Sequence, residues 1–506
     1  MRKRWAMSAG FCVALMAAPP AFAQKQGGTL RISHRDNPPS ASIHEEATIS
    51  TVMPFMSVYN NLVVFDPQAG QNRPDNIVPD LATEWAWDKD YTTLTFKLRD
   101  GVTWHDGKPF TSADVKCTWD MLIGDESKLR KNPRKSWYVN LKEVTTNGER
   151  EVAFHLKRPQ PAFLALLASG FSPVYPCHVS PKDMRQNPIG TGPFKFVEFK
   201  PNESIKVARN PDTILAFVAE KYDLTFAGTL TIPLTKDLMK QVPDAVCEMN
   251  PGSVNVNLIV NRDVPPFDNP ELRRAMALSL DRQSFIDILT EGKGNLGGAM
   301  QPPPEGQWGM PPELLDTLPG YGCDIEKNRN EARAIMRKLG YGPDKRLRVK
   351  VSTRDVPSHR DPAVILTDQL KHIYIEGELE TIDTTNWYPK VIRKDYMVGL
   401  SLMGAYVDDP DQQLYGNFAC GAEANYNGYC SADVDRLIDR QSMEPDQETR
   451  KQLVWQIERK LAEDGARPIM YYTRGGVCWR PYVKGLTVMV NSIYNGWRME
   501  DLWLDK

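Results

Sequence analysis

Between residues 325 and 403 the chain switches repeatedly between the two hydrophobic periods, and no other feature constrains its fold as tightly. Apolar residues at helical spacing cover 325–339 and 361 to about 373, while 347–352, 379–382 and 398–403 read as strands. Helices interleaved with strands argue for an α/β domain, in which each layer buries the apolar face of the other.

The first half reads differently. Leu94, Phe96 and Leu98 alternate with Thr93, Thr95 and Lys97, as in a half-buried strand. Two Asp-Gly steps follow, Asp100-Gly101 and Asp106-Gly107, and mark tight turns because glycine takes positive φ without a Cβ clash. Thr111 then caps a helix with Asp114 at its third position, and Phe110 staples onto Val115. His105 and Asp106 sit in the second turn, where strand-turn-helix architecture accounts for them without a binding role. Residues 61–177 hold many short strands, 151–156 among them, and read as a β-rich insertion. Elsewhere 29–33 reads as a strand, 46–59 as a helix, 194–197 with 204–208 as a hairpin, and 254–261 as a strand. Asn269-Pro270 opens a helix to about 289, and further on 446–463 is helical and 468–472 a strand. Residues 300–321 are dense in Pro and Gly and read as a long surface loop or an arm across the other domain.

At 506 residues the chain has room for two or three domains. Its 62 basic and 64 acidic residues nearly cancel, so no global field points to nucleic acid or to an anionic membrane. Arg2, Lys3 and Arg4 precede an apolar run over 11–18 and then Ala21-Phe22-Ala23, the pattern of a secretory signal peptide cleaved after Ala23. No later stretch reaches the roughly 20 apolar residues of a membrane helix. A free periplasmic protein is expected. Of the 8 cysteines, Cys12 leaves with the leader, and the odd remainder cannot all pair. Cys420 and Cys430 bracket a loop that a disulfide can close in an oxidising space, whereas Cys117, Cys177, Cys247, Cys323 and Cys478 lie in mixed apolar segments and read as buried thiols.

Gly292-Lys293-Gly294-Asn295-Leu296-Gly297 has the spacing of a dinucleotide turn but follows a helix instead of a strand. His44-Glu45-Glu46-Ala47-Thr48 lacks the second histidine of a zinc protease. With no nucleophile elbow, no phosphate loop and 7 dispersed histidines, the sequence assigns no catalytic residue, no metal and no cofactor. More suggestive is the loop after strand 398–403, because ligands in α/β domains lie beyond the carboxyl ends of strands. There Asp408, Asp409 and Asp411 are placed to hold a cationic group, with Tyr406 packing on the ligand body, or to form a solvated turn capped by Asp409. Arg354, just past strand 347–352, is placed to meet a carboxylate bidentately or to form an interdomain salt bridge. Trp387, Tyr388 and Tyr406 suit a flat or apolar ligand.

Tyr59-Asn60-Asn61-Leu62, Pro79-Asp80-Leu81-Ala82-Thr83-Glu84-Trp85, Trp104-His105-Asp106-Gly107, Gly190-Thr191-Gly192-Pro193-Phe194 and the stretch from Pro265-Pro266-Phe267 to Leu280-Asp281-Arg282 carry a family likeness. In order and over nearly the whole mature chain, they resemble the family 5 extracellular solute-binding proteins, the receptors of dipeptide, oligopeptide and nickel ABC importers. The resemblance implies an α/β, two-lobed periplasmic-binding-protein type II fold with an extra β-rich domain on the first lobe. Lobe I would comprise 24–60, 178–262 and 480–506, the extra domain 61–177, and lobe II 263–479. A monomeric receptor is implied that captures a peptide or peptide-like solute and delivers it to an ABC permease and its ATPase, with no chemical step. A secreted hydrolase of peptides or esters, and a periplasmic chaperone or sensor partner on the same fold, are the rival readings. In dipeptide-binding members an aspartate shortly before the Asp-Pro-Asp holds the peptide amine, and that place is Tyr406 here. The arginine that holds the carboxylate in those members matches Arg354. After Asn210-Pro211-Asp212 a helix at 213–221 follows at once where the family carries about 25 further residues, more than a strand's length. Such a deletion is expected to expose a sheet edge and lower stability.

Overall fold

The computed structural model describes residues 29–32, 34, 36–124, 129–201, 203–209, 223–225 and 232–505. The leader with its cleavage site and the expected deletion after Asp212 lie outside the described residues. In the first lobe, β1 (Val63–Phe65) pairs with β2 (Ile77–Pro79). Next comes an antiparallel sheet of β3 (Ala82–Trp87), β4 (Thr93–Leu98), β5 (Leu141–Asn147) and β6 (Glu151–Leu156), in the order β3-β4-β6-β5. Its register sets Leu94 opposite Phe154 and Phe96 opposite Val152, so the alternation visible in the sequence turns all four inward, where each is fully buried. The helix Ser112–Ile123 covers this sheet and begins with reciprocal capping between Thr111 and Asp114. From that helix Trp119 meets Phe154 edge-on at 5.0 Å.

Asp114 does more than cap. Its carboxylate also accepts from Trp104 Nε1 at 3.3 Å and from the Cys177 amide at 2.9 Å. His105 docks onto the glycine turn at 190–192, donating its backbone N–H to the Gly190 carbonyl and its Nε2–H to the Gly192 carbonyl, both at 2.9 Å. Glycine is required in that turn, because a Cβ on Gly190 would lie 1.9 Å from the Val58 carbonyl oxygen. β7 (Phe194–Lys200) and β8 (Ser204–Arg209) form the expected hairpin.

The second lobe is built on β9 (Val246–Val260), β10 (Leu347–Arg354), β11 (Ile375–Ile382), β12 (Val398–Gly404) and β13 (Ile469–Trp479), in the order β11-β10-β12-β9-β13. β10 runs parallel to β11 and β12, with Pro357–Leu370 and Thr384–Ile392 as crossover helices, while β9 pairs antiparallel with β12 and β13. Val351, Leu366, Leu370, Ile375, Val398 and Leu400 are fully buried between sheet and helices. The far ends of β9 and β13 leave this lobe for the other. Val477 and Trp479 belong to the first lobe's core, and Leu224 bridges Trp479 to Ile32.

Several elements differ from their sequence reading. Residues 46–59 are α-helical only over Ile49–Phe55, because Pro54 offers no amide hydrogen and Glu45 and Glu46 are held outside the helix by Arg130, Lys131 and Arg185. The helix read over 269–289 is two, Pro270–Leu278 and Arg282–Thr290, since Asp281 accepts from the Ser284 amide at 3.1 Å and caps a fresh start. Of the two readings of 300–321 the surface loop fails, because Met300, Trp308, Met310, Leu315 and Leu318 are buried, while Gln71 on the Glu305 carbonyl and Gln301 on the Val490 carbonyl join the segment to the first lobe as an arm does. Glu458 on the helix Gln447–Glu463 holds that segment by accepting from the Met300 and Met310 amides at 2.8 and 3.2 Å.

The cysteines also depart from expectation. Cys420 is joined to Cys430, but four of the supposed buried thiols form Cys117–Cys177 and Cys247–Cys478, and Cys323 is exposed. Partners 60 and 231 positions apart leave no local signal of pairing. Cys247 and Cys478 face one another near the first-lobe ends of β9 and β13. Replacing both with serine is expected to lower the unfolding free energy by about 2–5 kcal/mol. The same change at Cys420 and Cys430, only 10 positions apart, should cost less, and denaturant melts of the two double variants check the order.

Candidate ligand-binding cleft

Between the lobes lies a cavity of about 170 Å³. Its floor is the paired strands, with Ser253 and Val254 from β9 and Thr473 and Gly475 from β13. The second lobe contributes Arg354, His359, Tyr388 and Leu402 to the walls, and the first lobe Thr48, Ile49, Tyr494 and Trp497. Arg354 ends β10, so its strand delivers it to the crevice where ligands of α/β domains collect. Its side chain is 1% exposed. Nε donates to Thr384 Oγ1 at 2.7 Å, the Tyr388 ring centroid lies 5.8 Å from the guanidinium carbon, and Nη2 pairs with Asp36 of the first lobe. The Thr384 and Ser50 hydroxyls both donate to Asp36 as well. A guanidinium on the cavity wall in one lobe and a carboxylate of the other thus meet, each with hydrogen bonds that compensate its burial. Asp36 carried no sequence signal, lying in a polar, proline-containing loop.

Trp387 is one residue out of place. It is fully buried among Ile259, Val391 and Tyr396, while Tyr388 beside it lines the cavity, successive residues of a helix pointing about 100° apart. Tyr406 also lies off the cavity. Its ring packs 4.4 Å from Tyr494, 4.7 Å from Phe171 and 5.6 Å from Trp137, and its hydroxyl donates to the Ala47 carbonyl at 3.2 Å. Burial pushes this phenol up to about 12.

The three aspartates are occupied from within the chain. Asp409 caps the helix Pro410–Asn417, accepting from the Asp411 amide at 2.9 Å, and takes Arg450 bidentately with both contacts at 2.8 Å. Asp411 accepts from Gln441 at 2.6 Å, Gln160 at 2.7 Å, Ser442 at 2.8 Å and Arg450 at 3.2 Å. Asp408 accepts from the Gln307 amide at 3.0 Å and Asn491 Nδ2 at 3.2 Å, and burial pushes its carboxyl up to about 7. The cation that the sequence reading sought in a ligand is Arg450, 41 positions beyond Asp409. With donors arriving from both lobes, this loop bolts them together. Among the described residues no three His, Cys, Asp or Glu side chains are grouped to hold a metal, and no helix is long and apolar enough to cross a membrane.

A model of the bacterial extracellular solute-binding proteins, family 5 (middle), matches residues 76–221 and 212–425. The chain belongs to this family. Its members are binding proteins and not enzymes. Among relatives of this solute-binding protein, the probable di/tripeptide-binding protein 5 of Pseudomonas aeruginosa is 25% identical, with 90% of this chain and 91% of the relative covered. The oligopeptide-binding protein AppA of Bacillus subtilis is 25% identical over 81% of this chain and 80% of that one. Two solved structures share the fold. The Haemophilus influenzae OppA complex with the peptide RPPGFSPFR has a TM-score of 0.83 at 19% identity, covering 96% of this chain and 100% of that one. AgaA of A. tumefaciens R10, in complex with agropinic acid, has a TM-score of 0.80 at 19% identity, covering 95% and 99%.

In this solute-binding protein Arg450→Met should strand two buried carboxylates and cost about 3–5 kcal/mol of stability, read by denaturant melts at neutral pH. Asp408 gives a pH signature. Its folded value, about 7, lies above its ordinary one, so the folded chain holds this proton more tightly than the unfolded chain does. Its contribution is fully present below about pH 4 and is lost as pH rises through about 7. Melts of the natural chain and Asp408→Asn should show the natural chain's stability falling relative to the variant across that interval.

Proposed function

We propose that this chain is the exported receptor of an ABC importer, closing its two lobes on a small peptide or peptide-like solute and presenting the closed form to a membrane permease and its ATPase. The cleft between the lobes, in a chain of a solute-binding family, carries this reading. Relatives named for di/tripeptide and oligopeptide binding support a peptide or peptide-like solute, as do neighbours holding a peptide and agropinic acid. A cavity of about 170 Å³ is smaller than the roughly 300–1,000 Å³ of drug-sized pockets, which favours a solute of few residues.

On this reading lobe I comprises 24–60, 178–262 and 480–506, the extra domain 61–177 and lobe II 263–479, except that Val256, Leu258 and Val260 of β9 pack in the second lobe's core and Val477 and Trp479 of β13 in the first's, the two strands being the crossings about which the lobes close. Ligand binding stabilises the closed population because only that form surrounds the solute. Tyr388 offers its ring to the solute and Arg354 borders it, while Trp387, Tyr406, Asp408, Asp409 and Asp411 shape the walls from behind. The receptor acts as a monomer in the periplasm after cleavage at Ala23, without nucleic acid. Mass spectrometry of solute released from natively purified protein should identify the ligand. Calorimetric titration with that compound should then saturate one site per chain, and Tyr388→Ala should weaken it about tenfold, as truncation of a buried aromatic side chain does. A protein that releases no solute and saturates with none from a peptide and opine panel is not this receptor.

A further inference from the structure

Arg354 and Asp36 are both committed to partners within the chain. Among the described residues two arginines lie on the cavity wall, and both already have partners. Arg474 donates to the Lys293 and Met249 carbonyls at 3.1 and 3.4 Å. Arg354 is held by Thr384 and Asp36 and lies over the Tyr388 ring. Asp36 in turn accepts from Ser50 and Thr384 besides Arg354. Much of the remaining wall is apolar, including Ile49, Leu402, Tyr471, Met489 and Trp497.

We propose that Asp36 is a specificity-determining residue: as the carboxylate partner of Arg354, which lines the cavity, it makes the site select solutes whose end at that wall is uncharged and reject those ending in a free carboxylate. The inference rests on the reading of the cleft as a solute site. A solute carboxylate drawn to Arg354 would lie beside Asp36 in a water-poor place, where like charges disfavour one another strongly. Displacing Asp36 instead would take it from Arg354, Ser50 and Thr384 and break an ion pair between the lobes. A terminal amide, ester or cyclised end brings no such repulsion. Its uncharged body suits the apolar lining.

Matched dipeptides, each as free acid and as C-terminal amide, are to be titrated into the natural chain, Asp36→Asn and Asp36→Ser, the serine variant guarding against one that misfolds. The natural chain should bind amides at least about tenfold more tightly than acids, the size of one charge-assisted hydrogen bond. Either substitution should move that ratio at least about tenfold toward the acids by freeing Arg354. Equal or tighter binding of acids by the natural chain, or a ratio that neither substitution moves, overturns the proposal. If no peptide binds any of the three proteins, the solute reading fails on its own. Small-angle scattering of the ligand-free proteins then decides for Asp36. Expansion in both variants supports its hold on Arg354, and unchanged dimensions overturn it.

Discussion

The antiparallel pairing of β9 with β13 is the interaction on which the rest of the molecule depends. The two strands run from one core to the other, giving Val256 and Leu258 to the second lobe and, through β13, Val477 and Trp479 to the first. Because their backbone groups satisfy one another, the chain can pass between lobes without exposing unpaired amides, and the same ladder becomes the floor of the cleft. Its register slips between Ile469 and Tyr471 and again between Tyr472 and Arg474. Irregularities of that kind bend and twist a strand locally, and here they fall where Tyr471, Thr473 and Arg474 line the cavity. Beyond them Cys247–Cys478 clamps the ladder, so the two strands act as one ribbon where they enter the first lobe.

Around that ribbon the protein buries many charges, and several of them are answered by ion pairs within one lobe. Glu45 and Glu46 are held by Arg130, Lys131 and Arg185, Asp80 by Arg498, and Asp409 with Asp411 by Arg450. Desolvated charge is tolerated only where an opposite charge or hydrogen bonds answer it, as the backbone amides of Met300 and Met310 do for Glu458. Arg354 and Asp36 obey the same rule with a difference: they stand on opposite lobes. Their attraction therefore acts on the spacing of the lobes as well as on local packing.

How much of this was legible varies with the range of the interaction. The strand-turn-helix from Thr93 to Val115 was readable almost atom by atom, because hydrophobic alternation, Asp-Gly turns and the Thr111–Asp114 cap act over a few residues. The α/β alternation of the second lobe was readable for the same reason. Boundaries failed where a single side chain intervened, as with Pro54 in the first helix and Asp281 between two later ones. The cleft was legible only as a neighbourhood. Arg354 was found because it follows a strand, whereas Trp387 and Tyr388 read alike on chemistry alone, and the hundred-degree step between them turns only Tyr388 to the cavity.

The sequence by itself determined the local structure, the class of fold and the family, since each is written in short-range patterns of polarity and turn residues. Only the tertiary structure decided what the charged residues do. Whether Asp409 serves a ligand or Arg450, whether Cys247 is a thiol or half of a bridge to Cys478, and whether Arg354 is open to a solute or taken by Asp36 all depend on residues tens to hundreds of positions apart. Burial makes each of those choices binding, because a charge without its partner has no place in a low-dielectric interior.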